Sequence, residues 1–204
     1  MNAGFNYISC GWLIARARNP DDGLTRIFAG VIQAIASGHL KPPTLGMGLS
    51  CDKFSELLDY FFPAAGLEIF DDRFHAAYAA CVSPLESEFE DIVAILMEHR
   101  SEDNDVNEWL AYAIASGCMG SDHLYHDMGM PDRQTLSSLL ERYFTSLFRK
   151  NVHNMKWKKF FYKQLCDRAE IIMCPTRNCQ TCIDYKNCFS PEEMVPAMLE
   201  EAVH

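Results

Sequence analysis

Four cysteines near the C-terminal end of the chain are spaced closely enough to share one metal centre. Cys174, Cys179, Cys182 and Cys188 form the pattern C-x4-C-x2-C-x5-C. Thiolate sulfur selects zinc, cuprous copper or iron–sulfur clusters over cations that prefer oxygen ligands. Each loop between two of these cysteines is short enough to fold back, so that the four sulfur atoms can converge. The spacing therefore predicts a thiolate metal site in this segment.

The spacing alone leaves the metal open between zinc and an iron–sulfur cluster. Structural zinc sites usually have two C-x2-C pairs separated by a longer insert, whereas this segment has a single C-x2-C. The first three cysteines share the C-x4-C-x2-C step of plant-type ferredoxins, although the fourth cysteine of a ferredoxin lies much farther along the chain. Disulfide bonds are the third alternative, and a reducing compartment disfavours them.

A basic stretch precedes the cysteines in a chain that is otherwise acidic. The whole chain has 18 basic and 28 acidic residues, which gives a net charge of −10. Between positions 149 and 168 there is one acid, Asp167, and seven basic residues, which are Arg149, Lys150, Lys156, Lys158, Lys159, Lys163 and Arg168. Such a stretch would stabilise an anionic thiolate cluster, attract an oxyanion or dock an acidic partner. The alternative is a solvated helix face.

The elements that must position these residues are predicted to be helical. Apolar residues recur at spacings of three and four in six segments, which are 24–35, 54–61, 89–96, 106–117, 136–147 and 157–165. A seventh helix is expected to begin at the capping sequence Ser190-Pro191-Glu192-Glu193. We predict an all-α fold of about seven helices, in which residues 1–170 form a helical domain. Residues 171–204 are expected to form a Cys-rich loop and a C-terminal helix that pack on the same domain.

Composition and charge argue against several classes of function. A net charge of −10 disfavours general binding to nucleic acids or to anionic membranes, and no apolar run approaches the roughly 20 residues of a membrane span. The apolar stretch 7–15 is followed rather than preceded by arginines, which is the wrong order for a secretory signal. We therefore expect a cytoplasmic protein whose nine cysteines are kept reduced.

Several segments together resemble the NifQ family of nitrogen fixation. The specific part is HNMKWKKFFYKQLC (153–166), followed by the four-cysteine spacing and CFSPEE (188–193). The segments FSELLDYFFP (54–63), FEDIVAILMEHR (89–100) and WLAYAIASGCMGSDHLYHDMGM (109–130) also follow the family pattern, so that the resemblance covers most of the chain from about residue 24. The chain departs from the pattern at Tyr125 and His126, where the family more often has Trp and Gln, and at Ser190, which replaces a common Gly.

The resemblance implies a carrier of metal clusters rather than an enzyme. Its cargo would be a molybdenum–iron–sulfur cluster, from which molybdenum is donated for the iron–molybdenum cofactor of nitrogenase. The receiving partner would be the cofactor scaffold complex NifEN, with the nitrogenase iron protein taking part. The residues that match the family's cysteine motif are Cys174, Cys179, Cys182 and Cys188, and they are the implied ligands. Charge reversal of Lys158 and Lys159 is then expected to weaken transfer more than cluster binding.

A second group of metal-compatible side chains lies within ten residues of sequence. Its members are Cys118, His123, His126 and Asp127. Molybdenum accepts nitrogen and oxygen donors as well as sulfur, so His123 is the strongest accessory candidate where four thiolates serve iron. The alternative is that Cys118 ends an apolar helix stripe as a small buried residue, while the histidines form ordinary hydrogen bonds. Cys166 is either a spare ligand or a packing residue.

Two other functions remain open at this point. One is a structural zinc-binding interaction module, in which the four thiolates only fold the C-terminal loop. The other is an electron-transfer protein with a standard iron–sulfur cluster. Colour separates the first of these from a cluster protein, because zinc–thiolate sites are colourless, and metal analysis separates the second from a molybdenum carrier.

Overall fold

Every regular element in the described part of the protein is an α-helix, which confirms the predicted fold class. The computed structural model describes residues 7–40, 45–69, 87–169 and 185–189. In chain order the helices are α1 (Cys10–Ile14), α2 (Gly23–Ala36), α3 (Cys51–Phe61), α4 (Gly66–Ile69), α5 (Ser87–Glu98), α6 (Asp105–Cys118), α7 (Leu124–Asp127), α8 (Arg133–Tyr143), α9 (Thr145–Lys150), α10 (Trp157–Arg168) and α11 (Tyr185–Phe189). None of these described helices combines the length and the hydropathy that a bilayer span requires.

Polar side chains fix the starts of the longer helices. Asp22 accepts a hydrogen bond from the Thr25 N–H at the start of α2 (3.0 Å), and Asp132 accepts one from the Thr135 N–H at the start of α8 (2.7 Å). Ser50 and Asn104 cap α3 and α6 in the same way. Each cap satisfies a backbone donor that has no partner within its own helix, which is worth about 1 kcal/mol.

The predicted fifth helix, residues 136–147, is two helices in the structure. The helix is interrupted at Phe144, whose φ of −138° and ψ of 48° are not helical. The carbonyl oxygen of Tyr143 accepts hydrogen bonds from the Ser101 N–H (2.8 Å) and from the Asn107 side chain (2.7 Å). The Ser101 hydroxyl in turn accepts a hydrogen bond from the Thr145 N–H (3.0 Å). Ser101 in the loop before α6 and Asn107 in the first turn of α6 thus supply partners that replace the helical hydrogen bonds.

The remaining differences from seven helices have simple causes. Helices α1, α4, α7 and α11 have four or five residues each, which is too short for apolar periodicity to be recognised. The helix expected from Ser190 lies outside the described residues, as does most of the predicted unit 171–204.

A continuous apolar core joins the helices. Its largest fully buried side chains are aromatic, and they are Phe28, Phe54, Phe62, Phe89, Phe144 and Phe161. Helix α10 contributes Trp157, Phe160 and Phe161 to this core, so these aromatic residues pack inside the protein and do not form an exposed stacking surface. Cys188 and Phe189 of α11 also pack against the core, although each is only half-buried.

Two glycines bring the segment after α6 close to α2. Gly129 has a φ of +68°, a conformation that side-chain-bearing residues rarely adopt. A Cβ atom at Gly30 would lie 3.0 Å from the Met128 carbonyl oxygen, so a larger residue there would push the two segments apart. This close approach holds the turn that carries Asp127 against the helical core.

Candidate metal centre

Cys188 is the member of the predicted ligand set that the structure describes. It lies on α11, and its carbonyl oxygen accepts a hydrogen bond from the Lys156 N–H at 2.9 Å. Lys156 is the residue immediately before α10, so this bond ties the Cys-rich segment to the start of that helix. Cys174, Cys179 and Cys182 lie outside the described residues. The four-cysteine ligand set therefore stays a prediction.

The second predicted group is dispersed around α7. The ring of His123 stacks on Tyr125 with centroids 5.9 Å apart, and His126 Nδ1 lies 3.2 Å from Asp122 Oδ2. Cys118 is buried at the end of α6. Across the described ranges, no three His, Cys, Asp or Glu side chains converge in a way that could hold a metal ion. The accessory roles of His123 and Cys118 stay predictions.

Asp127 instead forms the centre of a buried charged network. Its side chain is 0% exposed, and it pairs with the Lys158 ammonium group, whose side chain is 16% exposed. His39 Nε2 lies 3.0 Å from the second carboxylate oxygen, Oδ1. The Asp122 N–H donates to Oδ2 at 3.0 Å. The carboxylate thus has polar partners on both oxygens, which is the condition for keeping a charge inside a protein.

The space for this ion pair exists because residue 120 is glycine. A Cβ atom at Gly120 would collide with the Asp127 carboxylate and would lie 2.7 Å from Leu40 Cδ2. The Gly120 carbonyl also accepts a hydrogen bond from Lys158 Nζ at 2.9 Å. The ammonium group is therefore held by a carboxylate and a backbone carbonyl together, at a point where a side chain would exclude it.

The start of α10, including the residue before it, connects the two groups that the sequence singled out. Through its backbone, Lys156 holds Cys188, and through its side chain, Lys158 holds Asp127. Sequence reasoning missed both Lys158 and His39 as partners of Asp127, since they lie 31 and 88 residues away from it. The available signal was that a carboxylate in an apolar segment needs a cation, but sequence does not say which one.

The basic stretch 149–168 is only partly a solvent-exposed surface. Three of its seven members are bound in ion pairs with carboxylates, and these are Lys158 with Asp127, Lys163 with Asp167 and Arg168 with Glu98. Lys150 Nζ lies 2.9 Å from His99 Nε2. Of the two lysines whose charge reversal is expected to weaken transfer, Lys158 is directed into the protein at Asp127, so its reversal would break a buried ion pair as well as change the surface charge. Lys159 is exposed.

The thiol of Cys118 lies in an environment that disfavours its ionised form. Burial raises the pKa of this thiol from its ordinary value of 9.0 to about 12, and the nearby Lys158 ammonium offsets only part of that effect. The thiol is therefore protonated at neutral pH. A metal would have to displace this proton in order to bind Cys118 as a thiolate.

Alkylation should report the protonation state of Cys118 directly. At pH 8, a three-unit rise in pKa leaves roughly a thousandfold less thiolate than in an unperturbed thiol. We expect iodoacetamide to modify Cys118 more slowly in the native protein than in protein unfolded by guanidinium chloride, by at least that factor, as measured by peptide mass spectrometry. Cys166, which is half-buried, provides the comparison within the same sample. Equal rates for Cys118 in the native and unfolded protein would contradict the structure.

Comparison with known proteins covers both the helical core and the cysteine segment. A family model described as NifQ matches residues 27–190. Protein NifQ of Azotobacter vinelandii is 40% identical over 105 residues, which are 52% of this chain and 54% of that protein. Protein NifQ of Rhodobacter capsulatus is 31% identical over 173 residues, which are 85% of this chain and 91% of that protein. A NifQ homolog of Sinorhizobium fredii is 30% identical over 150 residues, 74% of this chain and 63% of its own.

The extent of these matches decides the assignment. The alignment spans about half of the Azotobacter protein but nearly all of the Rhodobacter protein. No solved structure matches the chain significantly. The family match includes the segment of the charged network around Asp127, the first turn of α10 and all four cysteines of the C-x4-C-x2-C-x5-C pattern. The chain therefore belongs to the NifQ family of nitrogen-fixation proteins.

Proposed function

We propose that the protein carries a molybdenum–iron–sulfur cluster on Cys174, Cys179, Cys182 and Cys188 and donates its molybdenum for the iron–molybdenum cofactor of nitrogenase. The observation that carries this proposal is the position of the four cysteines within the family match at residues 27–190. Four thiolates are the ordinary ligand set of an iron–sulfur cluster. The cluster is the cargo of the protein, so the chain acts as a carrier and donor rather than as an enzyme.

The local structure around Cys188 supports a site that both holds and releases cargo. A donor must bind its cluster through transit and yet leave it accessible for ligand exchange, which at thiolate sites requires access by the partner. Cys188 is half-buried and is anchored by its backbone to the start of α10. Such a residue has a fixed backbone at the edge of the apolar core, which suits transfer better than a position inside that core.

The partners and the compartment follow from the same proposal. The receiving protein is the cofactor scaffold complex NifEN, and the nitrogenase iron protein takes part in the transfer. The site operates in the cytoplasm, where thiols stay reduced and available to metals. Nucleic acids and membranes are not partners, since the chain carries a net charge of −10.

A transfer assay tests the proposal. Protein loaded with its cluster is mixed without oxygen with molybdenum-free scaffold complex, and the two proteins are separated by an affinity tag on the scaffold. We expect molybdenum to move to the scaffold in proportion to the loaded protein added. Cargo that remains on the carrier after prolonged incubation, with the scaffold shown to accept molybdenum from another source, would refute donation.

A further inference from the structure

We infer that the lysines around Cys188 form a docking face for the acidic surface of a protein partner. This docking face consists of Lys156, Lys159 and Lys186, and the inference rests on the proposed donor function. Lys156 binds the Cys188 carbonyl through its own N–H at 2.9 Å. Lys159 follows it by three residues on α10, and Lys186 precedes Cys188 by two residues on α11. The three lysines are thus placed at the predicted cargo site.

The docking face has no carboxylate partner in the part of the chain that the structure describes, which distinguishes it from Lys158, Lys163 and Arg168 of the basic stretch. Lys159 and Lys186 are exposed and Lys156 is half-buried. By contrast, the nearby Lys163 and Arg168 form ion pairs with Asp167 and Glu98 at the other end of α10. Within α10 and α11, the positive charge that remains available to a partner therefore lies at the end of α10 that contacts Cys188, while Arg149 and Lys150 add exposed basic side chains on α9.

The arrangement of α10 itself is unfavourable for helix stability. The amino end of a helix carries a partial positive charge, and acidic residues are the ones that stabilise it. The first turn of α10 contains no acidic residue, and Lys158 and Lys159 follow directly on Lys156 and Trp157. Lys158 is compensated by Asp127, but Lys159 has no such compensation within the described residues. A positive charge that weakens the start of a helix and has no compensating contact indicates a functional role for Lys159.

The overall charge of the protein makes the location of the docking face important. A chain with a net charge of −10 repels an acidic partner from most directions. A local basic surface reverses that repulsion at one place, so it both accelerates encounter and orients it. The partner that fits is a protein whose receiving site is surrounded by Asp and Glu, and the orientation brings that site to Cys188.

Two charge-matched double variants test this inference. Lys159→Glu with Lys186→Glu changes the docking face, whereas Arg26→Glu with Arg142→Glu changes two exposed arginines on α2 and α8. Both variants have the same net charge, so general repulsion of the partner is equal. At low ionic strength we expect the first variant to transfer molybdenum to the scaffold complex roughly 10- to 100-fold more slowly than the second, and the difference to shrink in high salt.

The readouts separate this inference from the proposed function. Equal transfer rates for the two variants would contradict the inferred docking face. A loss of iron from the Lys159→Glu, Lys186→Glu protein would contradict it too, because the lysines would then help to bind the cluster rather than the partner. Binding of cargo-free protein to immobilised scaffold complex is measured in parallel. If wild-type protein binds the scaffold and the docking variant does not, the docking face stands even where no molybdenum is transferred, and only the donor function fails.

Discussion

Replacing Lys158 by methionine is expected to lower the free energy of unfolding by about 3–5 kcal/mol, because the substitution leaves the Asp127 carboxylate buried without its cation. Asp127 is fully buried, and the remaining His39 contact reaches it from a side chain that is 49% exposed. The measurement is urea unfolding of the cargo-free protein, followed by circular dichroism of the helices. Methionine preserves much of the length of lysine, so the change isolates the lost charge and hydrogen bonds.

Two further variants test whether the loss of stability arises because the charge is buried. Lys163→Met removes an ammonium group from the same helix but breaks the exposed pair with Asp167, which should cost less than about 1 kcal/mol. Asp127→Asn combined with Lys158→Met removes both charges, and it should recover part of the stability that Lys158→Met loses. If Lys158→Met unfolds at the same urea concentration as Lys163→Met, then Asp127 and Lys158 do not form the buried pair described here.

Alanine at Cys182 is expected to remove most of the bound iron and molybdenum, by about tenfold or more relative to the wild type. The cluster would lose one of its four thiolates, and no nearby residue in the C-x2-C step replaces it. Losses of 10- to 100-fold are typical even for residues that only support a metal ligand, so a ligand should cost at least as much. Iron and molybdenum are measured on protein purified without oxygen.

Cys166→Ala is the matched control for this substitution. Cys166 lies on α10 and is half-buried, and it precedes the four-cysteine pattern by eight residues. Its replacement should leave the iron content and the visible absorption unchanged. Wild-type iron content in the Cys182→Ala protein would show that Cys182 is not a ligand, whereas parallel loss in both variants would point to misfolding or oxidation instead.

The helices were predictable wherever one face is apolar over several turns. The stripe of α2, from Leu24 to Ile35, is such a case, and Phe28 and Ile32 are fully buried in the structure. The break between α8 and α9 was not predictable. Phe144 continues the apolar spacing of its neighbours, and the groups that interrupt the helix come from Ser101 and Asn107. Local periodicity carries no information about such distant hydrogen-bond partners.

The candidate site likewise has a part that the sequence predicts and a part that it does not. The cysteine quartet is visible in the sequence because ligand type and spacing carry its chemistry without reference to the fold. The network of Asp127 is not visible, because a carboxylate, an amine and an imidazole meet there from three separate segments. Asp127 looked like a metal-compatible side chain, and the structure pairs it with Lys158. Gly120 gave no signal of its own, although its missing side chain makes room for that pair.

Metal analysis of the wild-type protein, purified without oxygen, tests the central claim most directly. We predict that the protein is brown and contains both iron and molybdenum, because four thiolates hold an iron–sulfur cluster with molybdenum as cargo. The protein should not contain a stoichiometric amount of zinc. A folded, colourless protein that contains one zinc ion per chain would contradict the account, since the four cysteines would then serve only to fold their own segment.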